Sequence, residues 1–401
     1  MYIFRCPLSQ KIIALRLKLF YPPYLRREFT NYRGIFRVII FRSILDRLLY
    51  NNIYPVVDDN LSDANVGSRK GRNVRDNLFV LYAIMNSIKT GGEEACDIGV
   101  YDVIKCFDSL WSQECINDLW DAGCKDDKLN ILALGNQHAK VAVKTSGGMT
   151  SRETIPNIIM QGTVNAGLFF TSTMDKLARS EYKDKTLVYK YKGVAEGPPL
   201  EMVDDVLTVS KCSITSLTMN IAVNSFMENK TLKLSSEKCF VIHVGKAKNK
   251  CYKLKVHGST MHQTDCTKYL GDIIHQNAKV TANLAARLVK AVASFSVIRA
   301  ILEDIPLGIY RIQVALEFRM ALFVNCVLFN CETWHSLKDS DMKDLVLIDH
   351  QLLRYICQAQ AKHQSNSCIW KLGPFPYPTG YLWPKTTDHP RRFCKLSAIR
   401  L

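Results

Sequence analysis

The chain has 401 residues, of which 47% are apolar, and it carries a formal net charge of +16. Enough apolar residue is present to build a large core, which excludes a disordered chain, and the length excludes a small disulfide-stapled scaffold despite 14 cysteines. Lys and Arg in such excess point to a polyanionic partner, nucleic acid or an acidic membrane surface, with an ordinary basic enzyme as the plainer alternative.

The charge gathers at the ends. Residues 1–50 carry ten Lys or Arg against Glu28 and Asp46, and residues 351–401 carry eight against Asp388 alone. Both ends suit a phosphate backbone, and binding of that kind weakens with salt. No CxxC pair is present, and Ile12-Ile13-Ala14-Leu15 is cut short by Arg16 and Lys18, so no secretory signal opens the sequence. Reduced thiols in an intracellular compartment are expected. Cys357, His363 and Cys368 form a loose cluster without an obvious fourth zinc ligand.

In chain order, residues 1–30 show little pattern beyond charge and Pro22-Pro23. From Ile35 the apolar residues Ile35, Val38, Ile39, Phe41, Leu45, Leu48 and Leu49 recur at helical spacing. A polar turn over 58–63 and a basic, glycine-punctuated loop, Gly67-Ser68-Arg69-Lys70-Gly71-Arg72-Asn73, lead into a second helix over 75–87. Gly91-Gly92 breaks the chain, and 96–103 reads as a buried strand. Helices are expected over 112–121 and 126–138, then a hairpin from 139–145 and 152–160 around Ser146-Gly147-Gly148. Gln161-Gly162 opens an apolar helix, and a hairpin carrying Asp204-Asp205 follows. Residues 214–233 read as helix, and 237–244, 252–256 and 267–274 as strands. From 281 to 358 the pattern is helical throughout. No stretch reaches the ~20 apolar residues of a membrane span; the nearest, 320–329, reads as a buried helix. Beyond Lys371, five prolines within a short span disfavour both helix and sheet, as in a disordered or damaged tail.

The residues that carry chemistry are acids. Asp204-Asp205 lies between the apolar pairs Met202-Val203 and Val206-Leu207. Adjacent carboxylates in such a setting repel, and burial disfavours both ionised forms, so a divalent cation is the natural stabiliser; a solvated turn is the bland reading. Asp102, at the end of the strand over 96–103, is the best third ligand. Two-metal phosphoryl transfer needs carboxylates that hold two ions about 3.5–4 Å apart, and a strand end beside a hairpin turn supplies them. Asp108 reads as the cap of the next helix. Arg69 and Arg72 suit bidentate contacts to a triphosphate, against a plain solvated loop. Phe107 by itself reads as a core aromatic and Lys238 as a solvated lysine.

The ordered set resembles the reverse transcriptase domain of a non-LTR (LINE-type) retrotransposon. The matching segments are Asn31-Tyr32-Arg33-Gly34-Ile35, Gly67 to Arg72, Asp102 to Asp108, Gln161-Gly162, Val203-Asp204-Asp205, then Lys233, Lys238 and Cys239 with Gly245, and Tyr269-Leu270-Gly271. They run from about 31 to 275, with a weaker thumb-like continuation to 358. The resemblance implies an α+β right-hand polymerase. A basic N-terminal segment (1–30) precedes fingers (31–95), a palm with an antiparallel sheet and inserted fingers elements (96–278), a helical thumb (279–358) and a Pro-rich basic tail (359–401). It also implies catalytic, metal-binding Asp102, Asp204 and Asp205, holding two Mg²⁺ ions for which Mn²⁺ substitutes. Lys238 becomes the proton donor to pyrophosphate. Phe107 becomes the gate against a ribose 2′-hydroxyl, and Arg69, Arg72, Gln161 and Gly162 become substrate contacts.

The implied partners are an RNA template, a DNA primer and dNTPs, with no membrane and with access to the nucleus. Val203 replaces the family's usual Ala, and Val164-Asn165-Ala166-Gly167 follows Gln161-Gly162 where the family often places Ser-Pro. No nuclease segment precedes the match, as expected of a piece of a longer polyprotein or a decayed copy. The competing readings are a catalytically silent nucleic-acid-binding remnant and a group II intron-type maturase.

Overall fold

The computed structural model describes residues 38–358, apart from 92–94, 138–139, 146–147, 155–158, 161, 182–188, 192–194, 198–199, 212, 246–252, 307, 335–336 and 338. The basic N-terminal segment, the motif at Asn31–Ile35, Gln161, the Pro-rich tail, and His363 and Cys368 of the loose cluster lie outside the described residues. The described chain divides into two compact units, 38–279 and 280–358.

The first unit opens with α1 (Ile40–Asn60) and α2 (Val74–Lys89). The helical spacing read from Ile35 onward combines two faces of α1. Leu49, Ile53, Tyr54 and Val57 are buried, whereas Ile39, Phe41, Leu45 and Leu48 are exposed. Helix α2 starts at a capping box: Asn73 accepts from the Arg75 N–H at 2.8 Å, and Asp76 accepts from the Asn73 N–H at 3.0 Å.

Strand β1 (Cys96–Ile104) follows, then α3 (Cys106–Ser109), α4 (Ser112–Asp121) and α5 (Asp127–Gln137). Asp108 lies inside α3, and Trp111 holds the N-cap position of α4, so the expected capping role of Asp108 is corrected. The expected hairpin at 139–160 is two short ladders, β2 (Lys140–Val141) with β5 (Glu153–Thr154) and β3 (Lys144–Thr145) with β4 (Gly148–Met149). Then come α6 (Ala166–Glu181), the pair β6 (Tyr189–Tyr191) and β7 (Ala195–Gly197), the hairpin β8 (Leu200–Met202) and β9 (Asp205–Ser210), α7 (Ser213–Asn229), β10 (Lys233–Leu234) and β11 (Phe240–Val244). Short strands close the unit: β12 (Lys255–Val256), β13 (Ser259–Thr260), β14 (His262–Gln263), β15 (Cys266–Tyr269) and β16 (Asp272–His275).

Six strands form one sheet in the order β14-β11-β1-β9-β8, with β10 also on β1; only the β11–β14 pair is parallel. Strand β1 lies between β9 and β11 and is buried along almost its whole length. Alternate residues therefore meet different layers. Ile98 and Val100 join Leu207, Val209, Ile242 and Val244 in a cluster with Leu78, Leu81 and Met85 of α2. Tyr101 and Val103 join Val206 and Val241 in a cluster with Phe169 and Phe170 of α6 and Val223 and Met227 of α7. Gly99 permits this packing, since a Cβ there would stand 2.7 Å from the Thr208 hydroxyl.

The second unit is helical, as its spacing indicates: α8 (Thr281–Leu302), α9 (Ile309–Phe318), a π-helical turn (Arg319–Val324), α10 (Asn325–Val327), a short 3₁₀ turn (Cys331–Thr333) and α11 (Asp339–Cys357). Its core joins Ile298, Leu302, Ala315, Phe323, Val327, Leu345 and Leu353. The expectations for 320–329 need two corrections. The stretch belongs to a helical run, Ile309–Thr333, long and apolar enough to cross a membrane by length and composition alone. Nor is it wholly buried, because Met320 and Phe329 are exposed while Phe323, Val324 and Val327 are buried. The run also buries Arg319, which makes a bidentate pair with Asp349 of α11 at 2.7 Å per contact.

A pair so fully removed from water tolerates loss of both charges better than loss of one. Arg319→Met is expected to destabilise the protein by about 3–5 kcal/mol, and the double change Arg319→Met with Asp349→Leu to recover most of that loss. Denaturant titration of the three proteins measures both effects.

Candidate active site

The antiparallel register of β1 and β9 sets Asp102 directly opposite Asp205. Residues paired in this way have Cβ atoms about 4.5–5.5 Å apart on one face of the sheet. Asp204 precedes Asp205 in the two-residue turn that joins β8 to β9, where Met202 pairs with Asp205. Acids a hundred positions apart in sequence are thus neighbours in space.

The turn is strained in a defined way. Val203 has φ +59°, a left-handed conformation rarely adopted by a β-branched residue. It is the first of the two turn residues, where a type II′ hairpin ordinarily uses glycine. Such a conformation costs on the order of 1–3 kcal/mol and persists only where its surroundings over-determine it.

Each carboxylate has its own surroundings. Asp102 is gripped through its backbone by the segment ahead of β11: the Ser235 N–H donates to its carbonyl at 2.8 Å, and its own N–H meets the Cys239 sulfur at 3.5 Å. Its Oδ2 lies 3.5 Å from Lys238 Nζ, and Lys238 is itself 69% exposed. The Cys106 thiol donates to Asp204 Oδ2 at 3.5 Å. Burial, and then the charges of Asp204 and Asp102, raise the Asp205 carboxyl to about 6, with Lys268 and Lys238 pulling the other way. Burial pushes the Cys239 thiol up to about 11, so it is a neutral neighbour at physiological pH.

The donor set is hard carboxylate oxygen, suited to Mg²⁺ or Mn²⁺, and its repulsion is the kind a cation relieves. The three acids are neighbours, not a formed cage: among the described residues no three ligand side chains are gathered in ion-gripping geometry.

The other predicted residues divide. Phe107 is half-buried beside the core, its ring 5.2 Å from that of Phe170. Gly162 takes φ +102°, just ahead of α6. Arg69 is turned inward, with its side chain only 8% exposed. It donates to Asp58 Oδ1 at 2.6 Å and to the carbonyls of Ser62, Asn65 and Asp58. Arg72 pairs with Asp63, a highly exposed partner, and keeps more contact with solvent.

Sequence reasoning passed over the residues that seat this loop. Tyr54 accepts the Lys70 N–H at 2.7 Å with its hydroxyl, and Lys70 Nζ lies 5.0 Å from its ring centre. Glu201, Asn65 and Asn77 are buried as well, and both asparagines bond to Glu201 in β8, the strand that leads into the Val203-Asp204 turn. Glu201 alone carried a signal, a carboxylate inside an apolar strand; the two asparagines carried none.

Asp205 gives a pH dependence of known sign. Its folded value lies above its ordinary 3.8, so the ionised form opposes folding above about pH 6, and that penalty fades as pH falls through 6. In chelator, Asp205→Asn is expected to raise stability at pH 7.5 by about 1–3 kcal/mol, and by progressively less below pH 6. Thermal or denaturant melts across that range give the measurement.

Residues 28–274 match the family model described as reverse transcriptase (RNA-dependent DNA polymerase). No curated protein matches the chain. Among solved structures, a telomerase from Candida albicans in complex with a fragment of telomeric RNA aligns with TM-score 0.46 and 12% identity, over 82% of this chain and 58% of that one. An apo telomerase from Candida tropicalis aligns with TM-score 0.44 and 11% identity, over 82% and 53%. The chain spans about half the length of these telomerases, a distant likeness to which the assignment owes nothing. The family model covers well over half of the sequence, and the mixed helical and antiparallel architecture agrees with it: the chain belongs to the reverse transcriptase (RNA-dependent DNA polymerase) family, with a right-hand polymerase fold.

Proposed function

We propose that the chain is the RNA-directed DNA polymerase of a non-LTR retrotransposon, adding deoxynucleotides to a primer 3′-hydroxyl on an RNA template. The observation that carries this reading is the register that pairs Asp102 with Asp205 beside Asp204. In it, Asp102, Asp204 and Asp205 hold two divalent ions, Mg²⁺ or Mn²⁺. Bound there, the ions would activate the 3′-hydroxyl and neutralise charge on the departing pyrophosphate.

The chain's own residues supply the rest. Lys238, exposed and reaching to Asp102, delivers a proton to the pyrophosphate. Phe107, backed by Phe170, bars a ribose 2′-hydroxyl. Arg72 is the better candidate of the two loop arginines for the triphosphate, since Arg69 is committed to its own loop and helix. Gln161 and Gly162 line the new base pair. Net charge +16 favours a nucleic-acid partner, and copying RNA into chromosomal DNA requires access to the nucleus.

Primer extension on poly-rA with an oligo-dT primer, dTTP and Mg²⁺ tests the reading. Wild type is expected to extend, and Asp102→Ala and Asp204→Ala to lose at least about 100-fold in rate. Equal extension by Asp204→Ala would sink the assignment of the acids. Salt-sensitive binding without extension would identify a silent remnant. Phe107→Ala is expected to accept ribonucleotides while retaining dTTP, read by adding rUTP to the same assay.

A further inference from the structure

We infer that Asn65 and Gly67 are positioning residues for Asp204, tying the basic loop to the catalytic turn; the inference rests on Asp204 being a metal-binding carboxylate.

Strand β8 lies at the edge of the sheet, and its outer side is closed by the segment just before the loop. The Glu201 N–H donates to the Ala64 carbonyl at 3.1 Å, and the Val66 N–H donates to the Glu201 carbonyl at 3.0 Å. Asn77 of α2 adds a bond to that carbonyl at 3.1 Å. These bonds give an edge strand of three residues the partners that a sheet edge lacks.

Asn65 is the hub. It is fully buried, and its amide nitrogen donates both to Glu201 Oε2 and to the Thr171 carbonyl, each at 3.1 Å. Its amide oxygen accepts the Gly67 N–H at 3.0 Å, while the Thr171 hydroxyl donates to the Gly67 carbonyl at 2.9 Å. Both the N–H and the carbonyl of Gly67 are therefore held, the one by Asn65 and the other by Thr171 of α6.

Gly67, fixed in this way, stands against the catalytic turn. A Cβ at Gly67 would lie 2.6 Å from the Val203 backbone nitrogen and 3.0 Å from Val203 Cγ2. The atom in the way is backbone, so the turn itself would have to shift. Val203 is the residue with φ +59°, and Asp204 follows it directly. The wall formed by Gly67 is what over-determines that strained turn, and with it the direction of Asp204. A Cβ at Gly167 of α6 would likewise clash with the Ser68 side chain, so the loop packs closely on that helix as well as on the turn.

Mn²⁺ titration of the full chain, followed by electron paramagnetic resonance, tests this without reliance on turnover. Gly67→Ala and Asn65→Ala are expected to weaken Mn²⁺ binding roughly 10-fold or more, as loss of groups behind a metal ligand does. Gly258→Ala is the control: a Cβ there meets nothing within 4 Å, although the backbone takes φ +80°, a strain that Gly67→Ala does not add. It is expected to bind Mn²⁺ as wild type does. Asn65→Ala adds no atom, so it carries the same reading should Gly67→Ala fail to fold. In primer extension, raising Mn²⁺ is expected to restore the rate of Gly67→Ala but not that of Asp204→Ala. Wild-type Mn²⁺ affinity in Gly67→Ala and Asn65→Ala, alongside weakened binding in Asp204→Ala, overturns the positioning role. Unchanged binding in Asp204→Ala overturns the underlying ligand assignment, and the inference with it.

Discussion

The pairing of β1 with β9 brings like charges together, and every other feature of the site answers to that constraint. The register is held by apolar partners, Ile98 opposite Val209 and Val100 opposite Leu207, within the cluster beneath α2. A slip of one residue would send those side chains to the wrong layer, so the core enforces the alignment strongly. Asp102 continues the same alternation at the last residue of β1 that pairs with β9. Hydrophobic burial thus sustains an electrostatic arrangement that the acids alone would not adopt.

The surroundings distribute the resulting stress. Asp205 takes most of it, because it is the acid on which burial and two neighbouring charges converge. Lysines approach from two separate strands or turns, Lys238 beside Asp102 and Lys268 on β15, while the Cys106 thiol bonds to Asp204 and the Cys239 thiol, kept neutral by burial, lies beside Asp102. The Val203 turn stores conformational strain at the same place. Strain and charge repulsion are thus concentrated on one hairpin tip, at a cost in stability.

The helical unit follows a different logic. Its buried Arg319–Asp349 pair joins opposite charges and is satisfied on both forks. The long apolar run of Ile309–Thr333 is interrupted by a π-helical turn at Arg319–Val324, where the arginine of the pair begins. The charge is accommodated by a partner helix in sequence range, and hydrophobic contacts among Phe323, Val327, Leu345 and Leu353 complete the unit.

Local periodicity sufficed for much of this protein. The helix over 75–87, the buried strand from 96, the helices over 112–121 and 126–138, and the helical run after 281 are all written in spacings of two to four residues. Backbone hydrogen bonding rewards those spacings wherever they occur. The acidic doublet was equally visible, because its charge conflicts with its apolar neighbours. Partner choice over long distances was not visible. That Arg69 turns to Asp58, that Asn65 bridges Glu201 and Thr171, and that Ile39, Phe41, Leu45 and Leu48 face outward depend on which elements become neighbours. Those adjacencies arise from the order of strands in one sheet and the layers packed on it, and no short window of sequence contains them.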